Sequence, residues 1–349
     1  MAAARSSCIV QANRCRGENA MKNHVGADPR GCPIRCIITA LGSHGGLPLL
    51  ALLLLLGCGK EFVKPVPDLS SEFNATNAFA HVETLVAIGP RVSGTPGSAK
   101  AKQYIEAELN SYGLDVEFQV FDDETPMGKK KFCNIIACPK WRGKERILLC
   151  SHYDSKWFDT IHFVGANDSG SSTGLLLELA RVLAKHPMKP TPCFVFFDGE
   201  ESFGERNDTN GLFGSRYLVR AWKQRGELQN VRAMVLADMI GDKSLTVAIP
   251  PHCTSPLVKA IFDASTELGC RNYFGYGTRD VLDDHAPFLR AGIPAIDLID
   301  FEFGSAPGLN DYWHTEKDTL DKISPHSLDI VGRTILKALP KIAAPKPTS

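Results

Sequence analysis

Short apolar runs of four to six residues recur along the chain, alternating with longer stretches in which apolar positions return every three or four residues. The first pattern predicts buried strands and the second amphipathic helices. Buried strands are expected at residues 147–150, 193–197, 233–237, 245–249 and 295–299. Residues 115–121 alternate as a half-buried strand, and 132–137 form its neighbour. Between them, Asp122-Asp123-Glu124 and Lys129-Lys130-Lys131 read as the charged shoulders of a solvated turn. Helices are expected at 99–112, 172–184, 215–224, 256–268, 286–291 and 324–339, the last with Ser324 as cap and Pro325 in its first turn. An earlier helix, capped by Ser70-Ser71, uses Phe73, Phe79, Val82 and Leu85 and stops at Gly89-Pro90.

Strands alternating with helices imply a three-layer α/β/α domain around a twisted, mostly parallel sheet, with the first two strands as an antiparallel edge. No internal repeat or second linker interrupts it, so one catalytic domain is expected over about 70–345.

The chain has 349 residues, 44% of them hydrophobic and 22% charged, which excludes a disordered or low-complexity protein. Lys plus Arg number 39 and Asp plus Glu 39, so nothing in the charge favours nucleic acid as a partner. Neutrality belongs to the whole chain only. Residues 1–57 carry six basic and two acidic side chains, and without them 33 positive charges face 37 negative, a net of −4.

Those residues read as a leader. Leu47 to Leu56 is the one long apolar run, too short for a hydrocarbon core that needs about 20 residues. Arg30 and Arg35 precede it and Leu55-Leu56-Gly57-Cys58 closes it, the plan of a secretory signal. Leu-x-Gly-Cys resembles a bacterial lipobox, so Cys58 is expected to carry a lipid and 58–69 to be a tether. This predicts an exported lipoprotein of the cell envelope or periplasm, touching the membrane only through that anchor. Six cysteines lie beyond the leader, without Cys-x-x-Cys spacing, so a structural zinc site is not expected and any disulfide pairing stays open.

Candidate chemistry follows the apolar runs. His152-Tyr153-Asp154-Ser155-Lys156 follows the run at 147, Asp198-Gly199-Glu200-Glu201 the run at 193, and Asp238-Met239-Ile240-Gly241-Asp242 the run at 233. Gly165-Ala166-Asn167-Asp168 opens the helix at 172, and Tyr312-Trp313-His314-Thr315 lies past the last strand. Sites in such sheets form beyond the carboxyl ends of the strands. Imidazoles and carboxylates gathered there suit a borderline-soft divalent cation, zinc above all. In Glu200-Glu201, adjacent side chains diverge, so one can bind metal while the other faces substrate as a general base. Gly170-Ser171-Ser172-Thr173-Gly174 spells the G-x-S-x-G of a nucleophile elbow but lacks the strand that must precede it.

On these motifs, together with Gly89-Pro90-Arg91-Val92-Ser93-Gly94-Thr95, Gly214-Ser215-Arg216 and Asp283-Asp284-His285, the chain resembles the zinc aminopeptidase superfamily and its glutaminyl cyclase branch. The cyclase likeness implies one zinc held by Asp168, Glu201 and His314, with Glu200 as general acid/base. It further implies Asp238 and Asp284 as a supporting carboxylate network and Trp313 as a pocket wall. The reaction implied is cyclisation of an N-terminal glutamine to pyroglutamate with release of ammonia, the partners being peptide or protein N-termini. The aminopeptidase likeness implies two zincs bridged by Asp168, one completed by His152 and Asp238, the other by Glu201 and His314. Glu200 would then activate the water that hydrolyses the N-terminal peptide bond. A catalytically dead binding module would require lost ligands or a lost Glu200, and all are present. His-Tyr-Asp-Ser-Lys, Asp-Asp-His and Trp-His-Thr resemble the cyclases, whereas Asn167 to Gly174 is closer to the aminopeptidases. The tryptophan that cyclases carry soon after the paired glutamates is absent from 202–210. The cysteine that pairs near this loop in animal cyclases has no counterpart either.

Overall fold

Eight strands build one sheet in the order β1-β2-β4-β3-β5-β8-β6-β7. The computed structural model describes residues 66–344 except 208, so the leader, Cys58 and most of the stretch expected as a tether lie outside the described residues. The strands are β1 (Leu114–Thr125), β2 (Gly128–Pro139), β3 (Arg146–His152), β4 (Thr191–Phe197), β5 (Val231–Asp238), β6 (Val247–Ile249), β7 (Phe274–Tyr276) and β8 (Ala295–Ile299). The helices are α1 (Ala75–Ile88), α2 (Pro96–Ser111), α3 (Ser172–Leu183), α4 (Phe213–Gln224), α5 (Ser255–Glu267), α6 (His285–Arg290) and α7 (Pro325–Ala343).

β4, β3, β5 and β8 run parallel, while β1 and β2 form the antiparallel edge. Period-two alternation decides which layer each strand residue serves. Ile147, Leu149, Phe194, Phe196, Val235 and Ile296 point to the layer of α1, α2, α3, α5 and α7. Leu148, Cys150, Val195, Phe197, Met234 and Leu236 point the other way, onto Leu218 and Trp222 of α4 and Phe288 of α6. Both faces of the central strands are buried, so they read as unbroken apolar runs.

Two local expectations change, and two features carried none. Residues Ser70–Glu72 form a separate 3-10 turn, and α1 is capped instead by Asn74, whose Oδ1 accepts from Thr76 N at 3.0 Å and Asn77 N at 3.1 Å. The charge runs flank a turn, but as strand ends: β1 and β2 continue through them, placing Asp122 opposite Lys131, Asp123 opposite Lys130 and Glu124 opposite Lys129. Opposite charges directly across an antiparallel pair favour that register. β7, three residues with a central Gly275, has no apolar run to announce it. Finally, Cys138 and Cys193, neighbours on β2 and β4, form a disulfide. Cys133, Cys150 and Cys253 are buried free thiols, and Cys270 is half-buried.

Of the expected tether, the described end is docked. Leu69 is buried, Val66 packs on the same core, and Asp68 pairs with Lys337 at 2.7 Å. Among the described residues, no helix is long and apolar enough to cross a membrane.

Candidate active site

The carboxyl ends of β3, β4 and β5 deliver His152, the Asp198–Glu201 loop and Asp238 to the same edge of the sheet. His152 Nε2 lies 3.2 Å from Asp168 Oδ1 and 3.2 Å from Asp238 Oδ1. His314 Nε2 lies 3.2 Å from Asp168 Oδ2 and 2.9 Å from Glu201 Oε1. Two triads therefore share Asp168, one oxygen turned to each imidazole. Two ligands bonded at ~2.0–2.2 Å to a tetrahedral zinc sit roughly 3.3 Å apart. The observed separations match that spacing, and the nitrogen and oxygen donors suit the ion.

The loop that presents Asp168 is built from a distance. Asp168 departs from helical geometry at φ −105°, ψ 87°. Gly165 has φ +55°, and a Cβ there would lie 1.9 Å from the Asp168 carbonyl oxygen, so no other residue fits. Asp318 accepts from the backbone N–H of Asn167 at 2.7 Å and of Asp168 at 3.1 Å. The fully buried Arg91 donates to the carbonyls of Tyr153, Val164 and Gly165 at 3.0, 2.6 and 2.9 Å. Asp154 takes the backbone N–H groups of Glu200 and Glu201, each at 3.2 Å, and also faces His152 Nδ1 at 3.4 Å. Lys156 Nζ reaches Glu201 Oε2 at 3.3 Å. Asp154, Lys156 and Arg91 lie inside the sequence motifs and Asp318 just beyond the last of them, but no motif records the long-range partners that give them their roles.

Burial pulls against pairing at each group. Burial raises the Asp168 carboxyl, but hydrogen bonds from His152 and His314 carry it well below the usual carboxylate range. Glu201 is also lowered, His314 outweighing burial. Burial would lower both imidazoles. Asp238 foremost lifts His152 well above its ordinary value, and Glu201 with Asp168 lifts His314 to about 9. Burial pushes Glu200 up to about 8, with Arg206 working against it. Burial likewise raises Asp238, opposed by His152.

A cavity of about 700 Å³ opens over these groups, lined by Asp168, Glu200, Glu201, Asp238, Trp313 and His314 among others. Trp313 stacks on the His314 ring at 3.9 Å between centroids and leans on Phe301 at 5.1 Å. His314 holds a left-handed backbone, φ +57°, which costs a non-glycine residue on the order of 1 kcal/mol. Asp284 is buried but does not line the cavity; its neighbour Asp283 does. Burial, with Asp297 and Asp238 nearby, raises Asp283 well above its ordinary value, and burial raises Asp284 to about 7. Seven of the eight expected site residues thus border the cavity or meet in the shared triads, and Asp284 stands behind them.

The fold and this edge-of-sheet cluster define an α/β enzyme of the metallopeptidase class. The model of peptidase family M28 matches residues 134–339, and the chain belongs to that family. It is 31% identical over 266 residues to a glutaminyl-peptide cyclotransferase of Drosophila melanogaster, covering 69% of this chain and 73% of that one. Among solved structures, an Acidobacteriales bacterium glutaminyl cyclase superposes with a TM-score of 0.74 at 36% identity, covering 78% of this chain and 95% of that one. A Zn-dependent exopeptidase from Parabacteroides distasonis gives a TM-score of 0.67 at 30% identity, covering 78% and 98%.

Proposed function

We propose that the chain is a zinc-dependent glutaminyl-peptide cyclotransferase acting on peptide and protein N-termini. The observation that carries the reading is the pocket itself: Glu200 borders it beside Asp168, Glu201 and His314, and Trp313, stacked on His314, forms its wall. Likeness to proteins named glutaminyl-peptide cyclotransferase supports it. Asp168, Glu201 and His314 would hold the zinc, which when bound supplies Lewis-acid stabilisation to the γ-carboxamide oxygen.

The chain's own groups do the rest. The pocket holds the glutamine folded so that its α-nitrogen meets its side-chain amide carbon, Cδ, turning a loose encounter into an intramolecular one. Burial pushes Glu200 up to about 8 against the pull of Arg206, a proton affinity above that of a free glutamate, as suits a carboxyl that both takes and gives a proton. It takes the proton from the α-amine as the new C–N bond forms. It returns that proton to the departing nitrogen as the Cδ–Nε2 bond breaks, leaving pyroglutamate and ammonia. Asp238 and Asp283 border the same cavity as Glu200, with Asp284 buried behind it.

A second reading has its own observation. His152 and Asp238 complete a triad with the other oxygen of Asp168, a site for a second zinc, as in a two-zinc aminopeptidase. Glu200 would then take its proton from the attacking water. Incubating the purified protein with a Gln-initiated peptide and with leucyl amide separates the two. Pyroglutamate and ammonia are expected; free leucine without pyroglutamate would reject cyclisation. Metal analysis of the same sample counts one zinc or two. We also propose, from the leader alone, an exported lipoprotein anchored at Cys58. A lipid-modified Cys58 as the first residue, seen by mass spectrometry, tests this.

A further inference from the structure

Residues 202–210, which contain no tryptophan, bring a cation to the pocket. Arg206 lines the cavity with its side chain 28% exposed. Its Nη2 bonds the Glu200 carboxylate and also donates to the Glu200 carbonyl at 3.1 Å. Its Nη1 donates across the pocket to the carbonyl of Leu282 at 2.8 Å. Among the described residues, no other side chain bonds the Glu200 carboxylate.

The loop carrying Arg206 is shaped for this reach. Buried Asn210 staples it, donating to the carbonyls of Phe203 at 3.0 Å and Glu205 at 2.7 Å and accepting from Phe203 N at 3.1 Å. Leu212 N closes the loop on the Glu200 carbonyl at 2.9 Å. Gly211, at φ +119°, lies under the guanidinium; a Cβ there would stand 3.7 Å from its central carbon and 3.2 Å from the Glu200 carbonyl. One planar fork thus grips the side chain of Glu200, its backbone, and the opposite wall. An ammonium is a single point and cannot span the three acceptors.

We propose that Arg206 is a positioning residue: it fixes the Glu200 carboxylate against the pocket by tying it to the Leu282 wall. The proposal rests on Glu200 being the acid/base of the reading above. A carboxylate released from this grip still moves protons, but from scattered positions, and misplacement by about an ångström is enough to cost ~100-fold in rate.

The test compares wild type, Arg206→Ala and Arg206→Lys in the zinc-loaded protein, using a Gln-initiated peptide. For Arg206→Ala, kcat is expected to fall roughly 10- to 100-fold with KM within about threefold and zinc content unchanged. Arg206→Lys should recover only a small part of that loss. A rise in KM with kcat unchanged would make Arg206 a substrate contact and overturn the proposal, as would full recovery with lysine. Should wild type show no cyclisation, the cyclase reading fails by itself. The same kcat and KM comparison is then made on leucyl amide, because Glu200 is the proton carrier in both readings. A crystal structure of Arg206→Ala gives an answer independent of turnover. Glu200 should leave its wild-type rotamer, and an unmoved carboxylate would overturn the proposal.

Discussion

Asp318 holds Asp168 by the backbone: its carboxylate accepts the Asp168 N–H at 3.1 Å from 150 residues further along the chain. Both groups are buried, so Asp318→Ala leaves the N–H groups of Asn167 and Asp168 without partners, a loss of about 1–3 kcal/mol each. Because Asp168 is common to both triads, zinc affinity is expected to fall ~10- to 100-fold, the usual cost of removing a group that orients a ligand. Competition with a zinc-chelating dye measures it. Unchanged affinity with lowered stability would show that Asp318 supports only the fold.

Glu200→Gln keeps the shape of the side chain and removes its proton chemistry. The expected result is a fall in kcat of at least ~100-fold with metal content intact. Retained turnover would remove Glu200 from the mechanism.

Metal uptake should depend steeply on pH. In the metal-free protein Glu201 and Asp168 lift His314 to about 9, so it holds its proton at neutral pH, and Asp238 foremost shifts His152 in the same direction. A zinc ligand must be neutral imidazole, so binding at pH 7 expels that proton and weakens as pH falls. The sign for stability runs the other way. His314 is raised above its unfolded value of 6.5, so its contribution to the metal-free fold is full below 6.5 and lost as pH rises through about 9. Calorimetry in two buffers of different ionisation enthalpy counts the protons released. Melting in chelator across pH 6 to 10 checks the second sign, and a metal-free fold that strengthens with pH would contradict it.

Gly165→Ala is expected to abolish zinc binding. Its Cβ would lie 1.9 Å from the Asp168 carbonyl, closer than any contact allows, and the loop must move to relieve it. Circular dichroism separates the outcomes: a folded protein without zinc fits the geometry, and a folded one with normal zinc does not.

Denatured and alkylated without reductant, the described part of the chain should yield four modified cysteines: Cys133, Cys150, Cys253 and Cys270. Breaking the Cys138–Cys193 bond frees a separation of 55 residues, and by the chain-entropy relation is expected to cost up to about 4 kcal/mol. A lowered melting temperature on adding reductant is the readout.

The parts of this structure legible in the sequence are those whose cause is local. The unbroken run Cys193 to Phe197 announces a strand buried on both faces, and the acidic residues after it mark the end of a parallel sheet where a site forms. Ser324-Pro325 announces the start of α7, and Ser324 Oγ indeed accepts from His326 N at 3.1 Å. What escaped is what distance decides. Asp318 reaches Asn167 across 151 residues, and Asp154 reaches Glu201 across 47; no periodicity records such pairs. Asn74 escaped for a nearer reason, since Ser70-Ser71 is an equally good capping signal and only packing against Glu178, which accepts from Asn74 N at 2.9 Å, selects between them. The charged runs read as the exposed flanks of a turn, which they are; that the strands run on through them depends on alignment across the ladder, which neither run records alone.

Asp168, with one oxygen toward each imidazole, also makes the two halves of the site thermodynamically inseparable. Whatever settles between His152 and Asp238, whether proton or cation, withdraws charge from the oxygen that His314 sees. By reciprocity, filling the Glu201–His314 side alters affinity on the His152–Asp238 side by the same factor. Exchanging the shared carboxylate for an amide would therefore not weaken two independent sites in turn. It would remove the shared charge and turn an amide nitrogen, which cannot ligate a cation, toward one imidazole, so a single change would be felt on both sides at once.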